Sequence, residues 1–272
     1  MEGPDEPRLG GALITWVEPA PEHVVGYNRW YEDDHMITGA MVMPWMFSCR
    51  RWVAPRWIQH LRAPTGSRVA DPLDRGKYIG VYWVNEGRVA EHESWAIAAN
   101  IRLHEEGRGS YRGHGADPLE ERQHVFTAFC DYLGATYRDD DVPRAVHTLV
   151  QPYQGLVVEL LDAPKPEARA ELHKWIADDD LPERVDGPVA VALRFDPRPR
   201  TPSTLTHVRE LECPDRIAVV LHFLECDPRD CWDERFADAA VRIAEGGKGT
   251  LAVQAAFIPT RHGTNVYTDE LF

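Results

Sequence analysis

The sequence is short of positive charge: 30 lysines and arginines stand against 44 aspartates and glutamates, a formal net charge of −14 at pH 7. Nucleic acids and anionic membranes attract proteins through basic patches that release counterions. The charge balance therefore argues against both as partners. It also makes a polyanionic substrate unfavourable unless a local basic pocket exists, so a small-molecule substrate is the partner that we expect.

Cysteine and long apolar runs are also scarce. The five cysteines form no CxxC pair, and the closest two are Cys226 and Cys231. An odd number in a chain of this size indicates reduced thiols in a cytoplasmic protein. No apolar run approaches the roughly 20 residues that span a bilayer, and residues 1–11 are too acidic and polar for a signal peptide. We expect a soluble, intracellular protein.

Several motifs of cofactor and catalytic chemistry are missing. No GxGxxG follows a predicted strand, and there is no P-loop and no GxSxG, which argues against nucleotide cofactors and α/β-hydrolase chemistry. The 12 histidines form no HxxxH or HxH pair, so metal binding is weakly supported. We therefore expect neither a metal nor an organic cofactor, in a chain whose 43% hydrophobic residues suffice for a core.

The sequence does contain an internal repeat. A group of residues recurs 145 positions later without a gap: Pro19, Pro21, Glu22, Trp30, Asp33 and Asp34 match Pro164, Pro166, Glu167, Trp175, Asp178 and Asp179. A fixed offset indicates two copies of one supersecondary unit. The copies differ at one titratable position, where His35 is matched by Asp180. We expect an active first repeat over residues 11–138 and a structural second repeat over residues 149–262.

Hydrophobic patterning predicts the same element order, β-α-β-β-α-β, in both repeats. The predicted strands cover residues 11–18, 47–53, 77–84, 124–137, 155–161, 189–195, 216–224 and 250–258. The predicted helices cover 21–35, 88–104 and 166–180, with a fourth whose inner face carries Trp232, Phe236, Ala240 and Ile243. This order is the ferredoxin-like split unit. The predicted fold class is α+β, with two such repeats whose antiparallel sheets pack as an α+β barrel.

The connections between these elements are long. Residues 54–76, 105–123 and 196–215 are rich in glycine, proline or threonine. Such loops serve as lids or entry walls in many proteins, and surface elaboration is an equally good interpretation. Residues 139–148 resemble a linker between the two repeats.

The first helix of each repeat differs along its inner stripe. In the second repeat the stripe carries Leu172 and Ile176 and continues to Asp180; the equivalent positions in the first repeat are Tyr27, Tyr31 and His35. Burying hydroxyls and an imidazole without partners costs about 1–3 kcal/mol each. The stripe therefore forms an internal hydrogen-bond network or lines a polar pocket, and we favour the pocket.

His35 is the main catalytic candidate, because imidazole can act as acid or base near neutral pH. Tyr31 and the neighbouring Asp34 are included with it as catalytic candidates. The alternative is a buried histidine that stabilises the helix C-terminus. Asp33 and Asp34 recur in the copy that lacks the histidine, which favours a structural task such as capping the following loop.

The substrate-binding candidates are Tyr27, Arg51, Trp30, Tyr82 and Tyr132. Arg51 and Arg194 end comparable strands, and either can bind a carboxylate or enolate oxygen. Pairing with the duplicated aspartates is the simpler interpretation of both arginines. Trp30 is better explained as core, and strand parity cannot be fixed for Tyr82 and Tyr132.

The segment Trp30-Tyr31-Glu32-Asp33-Asp34-His35 resembles the helix-end signature of EthD-like proteins in the dimeric α+β barrel superfamily. There, an aromatic-rich helix ends in an acidic residue and a histidine, commonly followed by proline. Here Met36-Ile37 follows His35, whereas Asp180-Leu181-Pro182 keeps the proline without the histidine. The resemblance implies that two copies close one barrel; this chain can do so alone as a monomeric pseudo-dimer, and a homodimer is also compatible.

That resemblance implies one of the activities found in the superfamily, which includes cofactor-free dehydratases, polyketide cyclases, isomerases, quinol-forming monooxygenases and a few haem enzymes. We expect a cofactor-independent acid–base enzyme of the dehydratase, cyclase or lyase type that acts on a small hydrophobic, cyclic or aromatic oxygenated compound. The alternatives are an oxygen-using enzyme, either cofactor-free or haem-dependent with His35 as axial ligand, and a non-catalytic ligand-binding module.

Overall fold

Eight antiparallel strands form one closed barrel. The structure is a computed structural model that describes residues 6–199 and 213–272. The strands are β1 Leu9–Pro19, β2 Met46–Val53, β3 Tyr78–Asn85, β4 Arg122–Tyr137, β5 Gly155–Asp162, β6 Val189–Pro197, β7 Ile217–Leu224 and β8 Thr250–Pro259. All eight predicted strands are present, with bounds that differ by a few residues at most.

The strand order repeats within the barrel. It reads β4-β1-β3-β2 in the first half and β8-β5-β7-β6 in the second, which is the ferredoxin-like order in both copies. The predicted α+β barrel is confirmed, and its two sheets also join edge to edge. Seven residue pairs join β4 to β6, whereas only Trp52 with Pro259 and Val53 with Ile258 join β2 to β8.

Aromatic side chains fill the barrel. Trp52 on β2 contacts Phe223 on β7, two strands that are not neighbours in the sheet, with ring centroids 6.0 Å apart. Trp83 stacks on Phe195 at 5.5 Å. These rings are 0% exposed, so the inner faces of the two sheets form a common core.

The helices cover the outer face of the barrel. They are α1 Val24–Trp30, α2 Arg56–Gln59, α3 Val89–Glu105, α4 Pro118–Glu121, α5 Arg169–Trp175, α6 Leu181–Arg184, α7 Pro228–Arg235 and α8 Ala239–Glu245. Short 3₁₀ turns lie at Pro21–His23, Ala145–Val150, Pro166–Ala168, Pro214–Arg216 and Thr268–Glu270, and π-helical turns at Tyr31–His35, Ile37–Met41 and Ile176–Asp180.

The leading helical segments match at the offset of 145. Each passes from a 3₁₀ turn into an α-helix, α1 or α5, and then into a π turn, Tyr31–His35 or Ile176–Asp180. The sequence predicted that the first helical segment ends near His35. In the structure, the segment continues through Ile37–Met41. No proline interrupts it before Pro44, and Met36 keeps helical backbone angles.

The last helix of the second half is broken. The prediction placed Trp232, Phe236, Ala240 and Ile243 on one face, but Phe236 leaves the helical conformation at φ −133°. The chain restarts as α8, so Ala239 is buried and Ala240 is exposed. Most of the predicted loop 196–215 lies outside the described residues. Among the described residues, no helix is both long enough and apolar enough to cross a membrane.

Candidate functional site

A chain of hydroxyl groups lies between α1 and the sheet in the first half. The hydroxyl of Tyr31, in the π turn after α1, lies 2.5 Å from that of Tyr82 on β3 and 3.3 Å from Thr15 Oγ1 on β1. Gly80 makes room for this arrangement, because a Cβ there would lie 2.8 Å from the Tyr31 hydroxyl. Tyr31 and Tyr82, two of the predicted site residues, are therefore brought together.

The helices leave this part of the sheet accessible. Thr15 lies in β1, which pairs with β3 and β4 on its two sides, yet its side chain is partly exposed. Its partner on β4, Thr127, and the neighbouring Phe129, which pairs with Leu13, are partly exposed as well. We call Leu13, Thr15, Tyr31, Thr127 and Phe129 the first-half cleft. It combines hydroxyl groups with an apolar floor, which suits a flat, oxygenated ligand.

A β-bulge adds an imidazole to this cleft. In the pairing of β1 with β4, Val17 faces His124 and Trp16 faces Phe126, so Val125 is an extra residue. Bulges re-aim side chains, and this one puts His124 on the same face as Thr127 although they are three residues apart. His124 Nδ1 lies 2.6 Å from Thr127 Oγ1. Sequence reasoning missed Thr15, Thr127 and His124.

Arg51 lies behind the tyrosines rather than in the cleft. Only 1% of its side chain is exposed, and its Nη1 donates to Glu32 Oε1 at 3.0 Å and to Asn28 Oδ1 at 2.6 Å. Its guanidinium lies 4.5 Å from the ring centre of Tyr31. The expected pairing with the duplicated aspartates is wrong, because Glu32 faces the sheet and they do not. Arg194 donates instead to the carbonyl of His173.

The segment after β8 completes the environment of Arg51. The Gly263 amide donates to Glu32 Oε2 at 2.8 Å, and the Asn28 amide donates to the Thr264 carbonyl at 2.8 Å. The buried Arg51–Glu32 pair is thus held by hydrogen bonds from both halves of the chain, as a buried ion pair requires.

His35 lies at the edge of this region. Its ring stacks on Trp30 with centroids 4.3 Å apart, and its distance to the Tyr31 ring centroid is 5.7 Å. A π turn brings residues five apart together, and the Met36 amide accordingly donates to the Tyr31 carbonyl. A Cβ at Gly39 would lie 3.3 Å from the imidazole Cε1 of His35. His35 is half-buried and not in bulk solvent.

Asp34 and Trp30 hold the loop before β4. The Arg108 guanidinium donates to Asp34, with Nε 3.1 Å from Oδ2, and the Thr38 hydroxyl donates to Oδ1 at 2.9 Å. Burial alone would raise the pKa of Asp34, but these hydrogen bonds lower it overall. The Trp30 indole donates to the Arg108 carbonyl at 2.8 Å. The loop therefore forms a wall beside His35.

The first aspartate of the duplicated pair, Asp33 in one half and Asp178 in the other, has a basic partner in both halves. Asp33 pairs with Arg29 and Asp178 pairs with Lys174, each four residues earlier. These exposed i,i+4 ion pairs stabilise the helical segments modestly. Capping of the following loop, the predicted task, is not what Asp33 and Asp178 do.

Three tyrosines near Arg51, namely Tyr27, Tyr78 and Tyr82, are protonated at neutral pH. Burial raises the pKa of Tyr82 well above its usual range, and burial raises that of Tyr78 to about 12. Tyr27 also has a raised pKa through burial, and its ring packs on Trp30 at 6.0 Å. These phenols are therefore hydrogen-bond donors rather than bases. Tyr27 packs within the aromatic cluster and is 1% exposed.

Tyr132 lies apart from the other site candidates. It pairs with Phe195, and the two rings are 5.6 Å apart inside the barrel. Phe195 stacks on Trp83, whose neighbour Tyr82 faces the helices. Successive strand residues point to opposite faces, so the sheet separates Tyr132 from the Tyr31–Tyr82 pair.

The second half buries an ionic network under its helices. Arg184 donates to both oxygens of Glu159 at 2.7 and 2.6 Å, and His222 Nε2 lies 3.0 Å from Glu159 Oε2. Gln254 donates to the same carboxylate at 2.7 Å. Burial lowers the pKa of His222. All four side chains are buried, so this network is closed. The expected apolar stripe, Leu172 and Ile176, is present above it.

No group of three or more potential metal ligands from histidine, cysteine, aspartate and glutamate occurs within residues 6–199 and 213–272. The five cysteines are free thiols.

No family model matches the sequence, and no curated protein matches it. The structure is similar to that of an anthrone oxidase-like protein, with a TM-score of 0.56 and 9% identity over 96% of both chains. Weaker similarity links it to a dye-decolorizing peroxidase from Bacteroides thetaiotaomicron (TM-score 0.48, 9% identity, 99% of this chain and 97% of that one). An encapsulated DyP-type peroxidase from Mycobacterium smegmatis has a TM-score of 0.46 at 11% identity, over 98% and 95% of the chains.

Identities this low show the fold alone. The barrel, its strand order and the coverage of nearly the whole chain agree with the resemblance inferred from the sequence. The chain therefore has an α+β barrel fold in which both ferredoxin-like halves belong to one polypeptide, similar to the fold of the anthrone oxidase-like protein.

Proposed function

We propose that the chain is an enzyme that uses O₂ to oxidise a small, flat, oxygenated aromatic compound in the first-half cleft. The observation that carries this proposal is the hydroxyl chain that runs from the buried Tyr82 and Tyr31 to the partly exposed Thr15, beside the apolar side chains of Leu13 and Phe129. The anthrone oxidase-like protein with the same fold supports an oxidation over the dehydration or cyclisation expected from the sequence.

The residues of the cleft, together with His35 at its edge, suit the removal of a proton from an enolisable methylene. His35 is the proposed base, and Tyr31 donates a hydrogen bond to the oxyanion that forms. Tyr82 stays protonated and supports the Tyr31 hydroxyl, while Arg51 beneath the Tyr31 ring favours negative charge nearby. The resulting electron-rich anion reduces O₂. For a methylene, R₂CH₂ + O₂ gives R₂C=O + H₂O, so no external reductant is needed.

The first prediction concerns His35. Wild-type protein should consume O₂ with anthrone as the probe, and His35→Gln should lower kcat by about 10²-fold because the base is lost. His60→Gln is the control, since His60 is an exposed histidine at the end of α2. An oxygen electrode measures the rates, and circular dichroism checks the fold. Equal rates in H35Q and wild type would contradict the role of His35.

A dehydratase or cyclase is the second candidate. The hydroxyls of the Tyr31–Tyr82 pair can polarise a carbonyl, and the same proton removal by His35 starts an elimination. This alternative predicts turnover of a hydroxylated cyclic ketone under nitrogen, with loss of water and no O₂ uptake. A non-catalytic module would bind such compounds without converting them in either atmosphere.

The haem-dependent alternative would use His35 Nε2 as the axial ligand, since Trp30 stacks on one face of the His35 ring and leaves that nitrogen at the ring edge. A Soret band in the purified protein would favour haem. We further propose an EthD-like origin for the Trp30–His35 segment, repeats at 11–138 and 149–262, and a cytoplasmic location.

A further inference from the structure

A second imidazole of the first-half cleft is connected to the hydroxyl chain through the sheet. Tyr31 contacts Thr15 Oγ1 at 3.3 Å, Thr15 pairs directly with Thr127, and Thr127 Oγ1 lies 2.6 Å from His124 Nδ1. Directly paired residues of antiparallel strands have Cβ atoms about 5 Å apart on one face. One water can therefore bridge the two threonine hydroxyls.

The direction of these hydrogen bonds suits proton transfer. A hydroxyl group or a water donates hydrogens and also accepts them. Tyr31 can therefore donate to Thr15, Thr15 through a bridging water to Thr127, and Thr127 to the tautomer of His124 with an unprotonated Nδ1. When Tyr31 receives a proton from a bound hydroxyl, each group passes one on, and the last proton arrives at Nδ1. No hydroxyl in the chain gains or loses a proton overall.

His124 is placed to exchange that proton with water. Its side chain is partly exposed, whereas Tyr31 and Tyr82 are buried. The bulge at Val125 is what turns His124 toward Thr127, and bulges of this kind occur next to active sites. The equivalent strand pair of the second half, β5 with β8, has a similar bulge at Ala252. The bulge therefore belongs to the fold, and the imidazole beside Thr127 is what the first half adds.

We propose that His124 is the solvent-side end of a proton relay that begins at Tyr31 and passes through Thr15 and Thr127. The relay rests on the proposed function for the identity of the reaction at Tyr31. It adds a route by which the proton of a substrate hydroxyl leaves the cleft, while His35 removes the proton from the substrate carbon. His124 acts through Thr127 and does not touch the substrate.

The first test needs no turnover and so stands apart from the proposed function. Nitrogen-15 NMR of the histidine rings should show a change at His124 Nδ1 in Tyr31→Phe, because the variant removes the first donor of the chain. The same substitution in a Thr127→Val background should leave His124 unchanged relative to T127V alone. Identical His124 signals in wild type and Y31F would overturn the relay.

The second test uses the protein under turnover with a ring-hydroxylated anthrone, which carries both the methylene and the hydroxyl whose proton the relay removes. Thr127→Val should lower kcat by about 10-fold or more with KM unchanged, since general acid–base steps contribute at least that much. Thr127→Ser keeps the hydroxyl and should restore the rate. Equal kcat values in T127V and T127S would overturn the proposal, and if T127V fails to fold, the NMR comparison of Y31F with wild type still decides.

Discussion

Arg51 illustrates at the residue scale how this fold retains a buried charge. The guanidinium has a carboxylate partner in Glu32 and a neutral acceptor in Asn28. It also lies over three tyrosine rings, Tyr78 at 3.9 Å, Tyr31 at 4.5 Å and Tyr27 at 5.5 Å. Buried charges persist only when they are paired and hydrogen-bonded. The Arg51–Glu32 pair therefore also fixes the position of Tyr31, whose ring packs against the Arg51 guanidinium.

Removal of Arg51 should be costly because Glu32 then stays buried without its cation. We expect Arg51→Met to lower the free energy of unfolding by about 3 kcal/mol or more. The double variant with Glu32→Gln should recover most of that loss, since it removes the unpaired charge as well. Urea denaturation measures both values, and equal losses in the single and double variants would contradict the argument.

His92 on α3 is a buried titratable side chain that, unlike Arg51, lacks hydrogen-bond partners among the described residues. It is 0% exposed, and neither ring nitrogen has a hydrogen-bond partner within the described ranges 6–199 and 213–272. Burial lowers its pKa from 6.5 to about 4. Between these values the unfolded chain holds a proton that the folded chain does not. His92 therefore leaves stability intact above pH 6.5 and reduces it as the pH falls toward 4.

This linkage predicts a pH-dependent difference between wild type and His92→Phe. From pH 7 to 5 the wild type should lose free energy of unfolding with a slope of up to about 1.4 kcal/mol per pH unit from this group. The variant should lack that part of the slope, while His222 contributes equally to both proteins. Urea denaturation at the two pH values measures the difference, and parallel slopes would show that His92 titrates normally.

At the element scale, local sequence signals determined most of what could be predicted. Strand and helix patterns gave the order β-α-β-β-α-β twice, because periodicity and turn residues are local. The face that each strand residue occupies is not local. Register and bulges set it, so Tyr132 was grouped with Tyr82 although the sheet separates them, and His124 was overlooked.

The π turns in the helical segments are a second feature that local sequence patterns did not predict. Tyr31–His35 and Ile176–Asp180 differ at most positions in sequence, yet both form π turns at the same offset. A regular α-helix places His35 in line with Tyr31, whereas the π turn stacks it on Trp30. The candidate histidine could be found from the sequence, but its immediate neighbour could not.

Gly80 allows an element-scale test of the hydroxyl chain. A Cβ at this position on β3 would lie 2.8 Å from the Tyr31 hydroxyl and 3.0 Å from Thr15 Oγ1. Gly80→Ala should therefore displace the tip of Tyr31 and destabilise the protein by about 1–3 kcal/mol, as overpacking does. Adding Tyr31→Phe removes the closest atom and should relieve part of this cost. Thermal melts of the four proteins measure the coupling, and simple additivity would contradict the close contact.

At the scale of the whole molecule, one chain closes a barrel through two unequal seams. The β4–β6 seam has seven residue pairs and the β2–β8 seam has two. The segment after β8 runs back over the weaker seam, where the Gln59 amide donates to the Leu271 carbonyl at 3.0 Å and Arg56 donates to the Phe272 carbonyl at 2.8 Å. The same segment supplies Gly263 and Thr264 to the Arg51 environment. Closure of the barrel and order in the site are therefore linked.

That link predicts the effect of removing residues 263–272. Glu32 loses the Gly263 amide and Asn28 loses the Thr264 carbonyl, which costs about 1–3 kcal/mol for each buried group. Leu271, which is 0% exposed, is removed as well, and its burial contributes about 2 kcal/mol. We expect a drop of about 3–6 kcal/mol in the free energy of unfolding. Amide hydrogen exchange should accelerate at Trp52 and Val53, where β2 meets β8, and remain slow along β4–β6. A shorter truncation of residues 270–272 keeps Gly263 and Thr264. It should therefore lose the burial of Leu271 and the Gln59 and Arg56 hydrogen bonds, but not the hydrogen bonds around Arg51. Uniform acceleration across both seams, or equal losses in the two truncations, would show that the segment does not close the β2–β8 seam.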